Sequence, residues 1–322
     1  MNRNTLVQAA LSTLIAVGCT STAGSAKSQL APTASTSVPD GIVAAIPLDV
    51  KVDAIAAGPE GVWLRSPSGA VLAVDPALNT IVARIDVPAS QFGGIAVASG
   101  SVWVTDFAHN RLIRIDPKAK AIVATIDVGT SPQAMLVTPD AIWVSNQRGG
   151  SISKVDIASG TVVSTFAFTK AGATGPLRIA LAGGDLWTVA PNAQSVFRIH
   201  PTDGSVVAKL TIPAKFFGGP ISDGHFVYVR TGDDSMVKID PATNATIDGF
   251  AAAVVPDAFA GSGFWGATGR DLLRLDAATM VPSDRWTVFP DPAEKWPEYA
   301  IAFADQTVWL VANQQRLLRI AL

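Results

Sequence analysis

The chain has 322 residues, a formal charge of −2, 48% hydrophobic residues and only 16% charged ones. That composition suits a folded protein with a sizeable core and argues against disorder. Near-neutral charge also disfavours a nucleic-acid partner, since phosphate binding draws on a basic surface.

The first segment, "MNRNTLVQAALSTLIAVGC", has a polar start with Arg3 and an apolar stretch from Leu6 to Gly18. It is too short to span a bilayer as a helix and reads as a secretory signal over residues 1–19. Cys19 is the sole cysteine. Its place directly after the apolar stretch resembles a bacterial lipobox, although the usual Leu three residues earlier is Ala16. Lipidation of Cys19 and export to the periplasm or cell envelope are therefore expected, with plain secretion and removal of Cys19 as the other reading. No intrachain disulfide is possible. Residues 20–40 are rich in Ser, Thr, Ala and Pro without periodicity and read as a flexible tether spanning about 25 Å. The remainder, 41–322, reads as one domain.

Within that domain the chain repeats. An aromatic residue flanked by aliphatics recurs at Trp63, Trp103, Trp143, Trp187, Tyr228, Trp265 and Trp309, at spacings of 40, 40, 44, 41, 37 and 44 residues. After each comes a second apolar run: "VLAVDP", "LIRIDP", "ISKVDI", "VFRIHP", "MVKIDP", "LLRLDA" and "LLRIAL". In the second unit four short runs with period-two alternation are separated by turn residues: 94–98, 101–106, 111–116 and 121–128. Seven units of four antiparallel strands at about 40 residues each predict an all-β, seven-bladed β-propeller. The last unit ends after its third strand, whereas a spare strand, "GIVAAIPLDV" (41–50), precedes the first. Docking that N-terminal strand onto the last blade closes the ring and hides a sheet edge. The repeated Trp residues are expected to fill the wedges between blades. The Asp of "IDP" at Asp75, Asp116 and Asp240 is expected to cap the turn after it, with His200 as a variant of that turn.

The stretch "VWVTDFAHNRLIRIDPKAKAIVATIDVGTSPQAMLV" (102–137) resembles the YVTN-type repeat of periplasmic and cell-surface seven-bladed propellers of the YncE kind. More distantly the repeats resemble those of streptogramin lyases. The second resemblance implies magnesium and His/Glu residues at the central opening, a pattern this sequence does not reproduce. His109, His200 and His225 are the only histidines, and the last two fall in turns on the opposite, bottom face.

A binding site is expected on the top face, where the connections between second and third strands and those between blades meet around the channel mouth. There the sequence collects Arg65, Phe92, Asp106, His109, Arg148, Arg178, Phe217, Arg230, Arg270, Trp296 and Tyr299. The five arginines come from five blades and suit a carboxylate or phosphate; the aromatics suit an apolar portion. The competing reading pairs these arginines with Asp106, Asp233, Asp257 and Glu298 as solvated rim ion pairs. Trp286 and Trp296 lie off the repeat in the segment 284–299, either packing on their own blade or offering a platform. "QFGG" (91–94) and "FFGG" (216–219) read equally as rim aromatics or as the packing start of a strand. G-x-S-x-G, H-E-x-x-H and P-loop motifs are absent from the sequence.

The sequence therefore points to a non-catalytic, envelope-exposed, monomeric propeller. It would bind a small molecule, peptide or partner protein on its top face without a cofactor, attached to a membrane by its lipid. A magnesium-dependent lyase similar to streptogramin lyases and a polynucleotide-binding propeller of the YncE kind are the alternatives.

Overall fold

The computed structural model describes residues 41–168, 175, 178–190, 194–212, 219–231, 236–247, 258–268, 270–289, 299–304 and 306–322. Every regular element in it is a strand, and the strands form seven four-stranded antiparallel sheets. In blade 1, β2 (Ala54–Gly58), β3 (Gly61–Ser66), β4 (Ala70–Asp75) and β5 (Thr80–Asp86) run from the channel outward. Blade 2 repeats this with β6 (Ile95–Ala98), β7 (Ser101–Asp106), β8 (Arg111–Asp116) and β9 (Ala121–Asp127). Blades 3 to 6 follow the same order. In blade 7 the outermost strand is β1 (Ile42–Pro47), paired antiparallel with the chain-terminal β28 (Arg316–Ala321). One core cluster unites Ile46, Leu48 and Val52 after that strand with Trp309 and Leu317 of blade 7 and Ile55 and Leu64 of blade 1. The ring is therefore closed by apolar packing as well as by a ladder.

The second strand of each blade is buried on both faces, because neighbouring sheets cover it from either side. Trp63, Trp103, Trp143, Trp187, Tyr228, Trp265 and Trp309 are all between 0% and 3% exposed. Their polar edges are spent at the bottom turns: the indole N–H donates to the Ala98, Ala182 and Ala260 carbonyls from Trp103, Trp187 and Trp265, at 3.1–3.3 Å. The Tyr228 hydroxyl donates to Asp223 at 2.9 Å, and burial pushes its pKa well above the usual phenol value. These rings are scaffold.

The third strand carries a feature that the repeat itself spelled but its period did not explain. Directly across the ladder from six of the seven aromatics stands a cation: Arg114, Lys154, Arg198, Lys238, Arg274 and Arg319. Each lies over its ring, with 5.0–5.9 Å to the centroid. Only blade 1 departs, with Ala73 opposite Trp63. The longer cations also reach the next blade. Arg198 donates to the Pro241 carbonyl at 2.5 Å and to Asn244 Oδ1 at 2.9 Å, and Arg319 donates to Pro76 and Asn79 at 2.6 and 3.2 Å. That last pair ties blade 7 to blade 1.

The turns between third and fourth strands are built alike. The Asp116 carboxylate accepts the Lys118 and Ala119 N–H groups, and the equivalents Asp75, Asp156, Asp240 and Asp276 cap in the same way. The backbone donors hold the Asp116 carboxyl below the usual carboxylate range, while for Asp156 and Asp276 the Ser159 and Thr279 hydroxyls lower it first and the backbone donors second. At His200 the capping passes to Asp203, which accepts from Ser205 N–H and Oγ and is lowered too. Four residues after the cap the chain enters the left-handed region, at Asn79, Lys120, Gly160, Gly204, Asn244 and Met280, which is why Asn and Gly predominate there.

Candidate functional site on the top face

The top ends of the blades share none of this uniformity. Two and three residues past each aromatic, the second strand ends on Arg65–Ser66, Thr105–Asp106, Ser145–Asn146, Val189–Ala190, Arg230–Thr231, Ala267–Thr268 or Val311–Ala312. Blades 1 to 3 thus end on buried polar side chains; blades 4 and 7 end on aliphatics.

Arg65 is part of the scaffold. It is 2% exposed, its guanidinium sits on the Asp53 carboxylate, and it donates to the Ser90 and Phe92 carbonyls at 2.5 and 2.9 Å. It thereby fastens blade 1 to the segment entering blade 2. Gly93 has to be glycine, because a Cβ there would lie 2.6 Å from Arg65 Nε. Thr105 performs the same bridging in blade 2, accepting the Gly94 N–H at 2.6 Å and donating to the Gln133 carbonyl of blade 3 at 3.2 Å. The expectation that Arg65 faces the channel mouth is therefore corrected: its position in the strand turns it into the blade interface.

Four other expected residues are brought into one sector above blades 1 to 3. Phe92 packs edge-to-face against Phe107, with centroids 5.3 Å apart. The exposed Arg148, from the next blade's loop, lays its guanidinium over the Phe107 ring at 5.3 Å. Asp106 and His109 share the loop of Phe107. The Asp106 side chain is 1% exposed, and both its oxygens lie 2.9 Å from His109 Nδ1, while the imidazole is 54% exposed. Asp106 also accepts the His109 backbone N–H at 3.2 Å, so the carboxylate fixes loop and ring together. Phe107 itself is only 8% exposed and backs Phe92 and Arg148 from beneath the surface.

The loops that present His109 and Arg148 are stitched to one strut, the connection from blade 2 to blade 3. Ser131 N–H donates to Asn110 Oδ1 at 2.9 Å, the Ser131 carbonyl accepts Gln147 N–H at 2.9 Å, and the Thr130 carbonyl accepts Gly149 N–H at 3.1 Å. Gln133 occupies a β-bulge at the top of β10 (Pro132–Val137), where Pro132 opposes Asn146 and Ala134 opposes Ser145. Its Oε1 is buried and receives no hydrogen bond, and the same is true of Asn146 Oδ1. Asn146 is 0% exposed, its Nδ2 donating to Ser151 and Ser153 at 3.0 and 2.9 Å.

The remaining candidates are dispersed. Arg178 is half-buried at the start of blade 4, where its backbone and Cβ press against Gly219. Gly219 is glycine for that contact, while the other residues of "FFGG", 216–218, lie outside the described residues. Arg230 holds in blade 5 the strand position that Arg65 holds in blade 1, and Arg270 is exposed in blade 6, its carbonyl accepting the Val288 and Phe289 N–H groups. Tyr299 opens the innermost strand of blade 7 (Tyr299–Ala304). Phe217, Trp296 and Cys19 lie outside the described residues, as do Asp233, Asp257 and Glu298. Trp286 is moved by the structure from connection to strand: it belongs to Pro282–Thr287, the outer strand of blade 6, and stacks on Trp265 at 5.3 Å and 25°. Among the described residues no group of three or more His, Cys, Asp or Glu side chains is placed to hold a metal ion.

Comparison with known proteins agrees on the architecture. A family model described as outer membrane protein assembly factor BamB matches residues 148–248, about a third of the chain. No curated protein sequence matches. Among solved structures, virginiamycin B lyase from Staphylococcus aureus is similar at 17% identity and a TM-score of 0.68, covering 87% of this chain and 98% of its own. A streptogramin B lyase gives 18% and 0.65, covering 85% and 94%. Hydrazine synthase from Kuenenia stuttgartiensis gives 13% and 0.64, covering 90% and 98%. What they share with this chain is the propeller. At these identities the likeness is one of fold alone, and a fold of this kind carries unrelated functions.

Proposed function

We propose that this protein is a non-catalytic binding propeller of the cell envelope, with its site on the top face above blades 1 to 3. The observation that carries the reading is the exposed Arg148 placed over the ring of Phe107, itself backed by Phe92. A guanidinium fixed on an aromatic face loses less freedom on binding and keeps its donor fork open to an anion. Rigid loops from adjacent blades present it, which is how propellers and other scaffolds carry recognition sites. In this proposal residues 1–19 export the chain, Cys19 takes the lipid that holds it at a membrane, and 20–40 tether the monomeric propeller of 41–322 away from the surface.

The test is a thermal-shift screen of small organic anions and short peptides on the full-length protein. Hits should raise the melting temperature of the wild type and lose that effect in a Phe107→Ala, Arg148→Ala double variant. Hits unaffected by the double change would move the site elsewhere. The lyase alternative needs an imidazole and carboxylate set around magnesium, and a magnesium-dependent shift accompanied by substrate turnover would establish it instead. For Cys19, acyl labelling and membrane fractionation of Cys19→Ser against wild type decide the anchor.

A further inference from the structure

We propose that the ligand of this sector is a small carboxylate with an apolar body and an N–H donor beside it, the chemistry of an N-acyl amino acid. The proposal rests on the top-face reading above and adds the class of molecule it takes. Three groups within the sector call for three different features, and one molecule supplies them all.

Arg148 calls for the anion. Its contact with Phe107 is with a ring face, which leaves its N–H donors unused, and no carboxylate among the described residues pairs with it. Arg matches a carboxylate through two parallel N–H···O bonds, a geometry that a point charge does not reward. Phe92 calls for the apolar body: it is half-buried and packs edge-to-face with the buried ring of Phe107, so an apolar group laid beside it extends an existing aromatic contact.

His109 calls for the N–H. With Nδ1 held 2.9 Å from both oxygens of the buried Asp106, the tautomer that this pairing selects carries its proton on Nδ1 and has Nε2 as the acceptor. The imidazole is 54% exposed, so that acceptor is open to a ligand. Gln133 adds a second acceptor, since its Oε1 is buried without a donor on a bulge that frees its side chain from the ladder. A buried carbonyl oxygen left without a donor is costly, and a ligand N–H relieves it. The His109 and Arg148 loops share the Thr130–Ser131 strut, and Phe92 joins them through its contact with Phe107, so acceptors for an N–H, a fork for a carboxylate and an aromatic contact belong to one sector.

The experiment is isothermal titration of the full-length protein with N-acetyl-L-phenylalanine and with N-acetyl-L-phenylalaninamide, which differ only in the carboxylate. The wild type should bind the acid about tenfold or more tightly than the amide. Arg148→Gln should bring that ratio close to one, while His109→Leu should weaken both probes and preserve the ratio. Equal affinities in the wild type, a preference that survives Arg148→Gln, or no binding of either probe up to about 10 mM would each overturn the carboxylate proposal. The wider reading would still be judged separately, because the thermal-shift screen finds anions and peptides of any class and locates them by the double variant.

Discussion

The two ends of the propeller follow opposite rules. At the bottom, one set of devices is repeated around the ring: a buried aromatic with its polar edge spent on a turn, a cation across the ladder lying over its ring, and a turn capped by aspartate. At the top, the last two residues of the second strands bring a buried ion pair in blade 1, a His–Asp pair in blade 2, a buried amide in blade 3 and only aliphatics in blades 4 and 7. Repetition is what a stacking problem produces, because every blade faces the same wedge on either side. In the proposed function a ligand accounts for the broken symmetry, since it would touch one sector and not seven.

The largest effect should come from opening the ring. Deleting residues 41–50 removes β1 and the buried Ile46 and Leu48, and exposes β28 as an edge. The loss from those two side chains alone is about 3–6 kcal/mol, so denaturant unfolding should show a sharply destabilised or unfolded product. Deleting 20–38 should leave the melting temperature unchanged. Equal effects of the two deletions would contradict closure by this strand.

Next come the repeated wedge and its polar counterpart at the top. Trp187→Ala, at 0% exposure, should cost about 3–5 kcal/mol. Arg65→Ala should cost about 3 kcal/mol or more, because it leaves the Asp53 carboxylate without its guanidinium at the blade interface. A ligand-contact role for Arg65 would instead leave stability nearly unchanged, so this variant sharpens the division between scaffold and site.

A smaller effect concerns acid. Asp116, Asp156, Asp203 and Asp276 are held below their ordinary value by hydrogen bonds that exist only in the folded chain. A depressed folded pKa adds stability that is complete above the unfolded value, about 3.9, and is lost as pH falls through the folded one. Melting temperature should therefore drop from about pH 4 downward, and replacing all four by Asn should flatten that limb. An unchanged acid limb would show that these turns do not carry it.

The fold was legible because its rule is local and repeated. An aromatic every 37–44 residues, a missing last strand and a surplus first one suffice for blade number and closure. The cations were equally visible, as the Arg or Lys in "LIRID", "VFRIH" and "LLRIA", but their purpose was not, since ring and cation meet only once the ladder sets them opposite one another. At the top, the segment that carries each candidate side chain was legible, and the direction in which it turns was not. Arg65 and Arg148 look alike in sequence, one ending a strand and one in the loop after it. Three residues of repeat register, two against five past the aromatic, decide whether a guanidinium turns into the blade interface or onto the rim. Trp286 was misplaced for a similar reason: the Pro-rich text beyond it masked its place opposite Leu272 in a strand.

The central claim is that similar contacts serve stability at the bottom and recognition at the top, and one paired measurement tests it. Arg148 over Phe107 and Arg198 over Trp187 have nearly the same geometry, 5.3 and 5.6 Å from guanidinium to ring centroid. Melting curves of Arg148→Ala and Arg198→Ala should be recorded with and without N-acetyl-L-phenylalanine. Arg198→Ala should lower the melting temperature through loss of its ties to Asp185, Pro241 and Asn244 while keeping the ligand-induced rise. Arg148→Ala should melt like the wild type, within about 0.5 kcal/mol, and show no rise. Equal destabilisation by the two changes, or a ligand-induced rise that persists in Arg148→Ala, would contradict it.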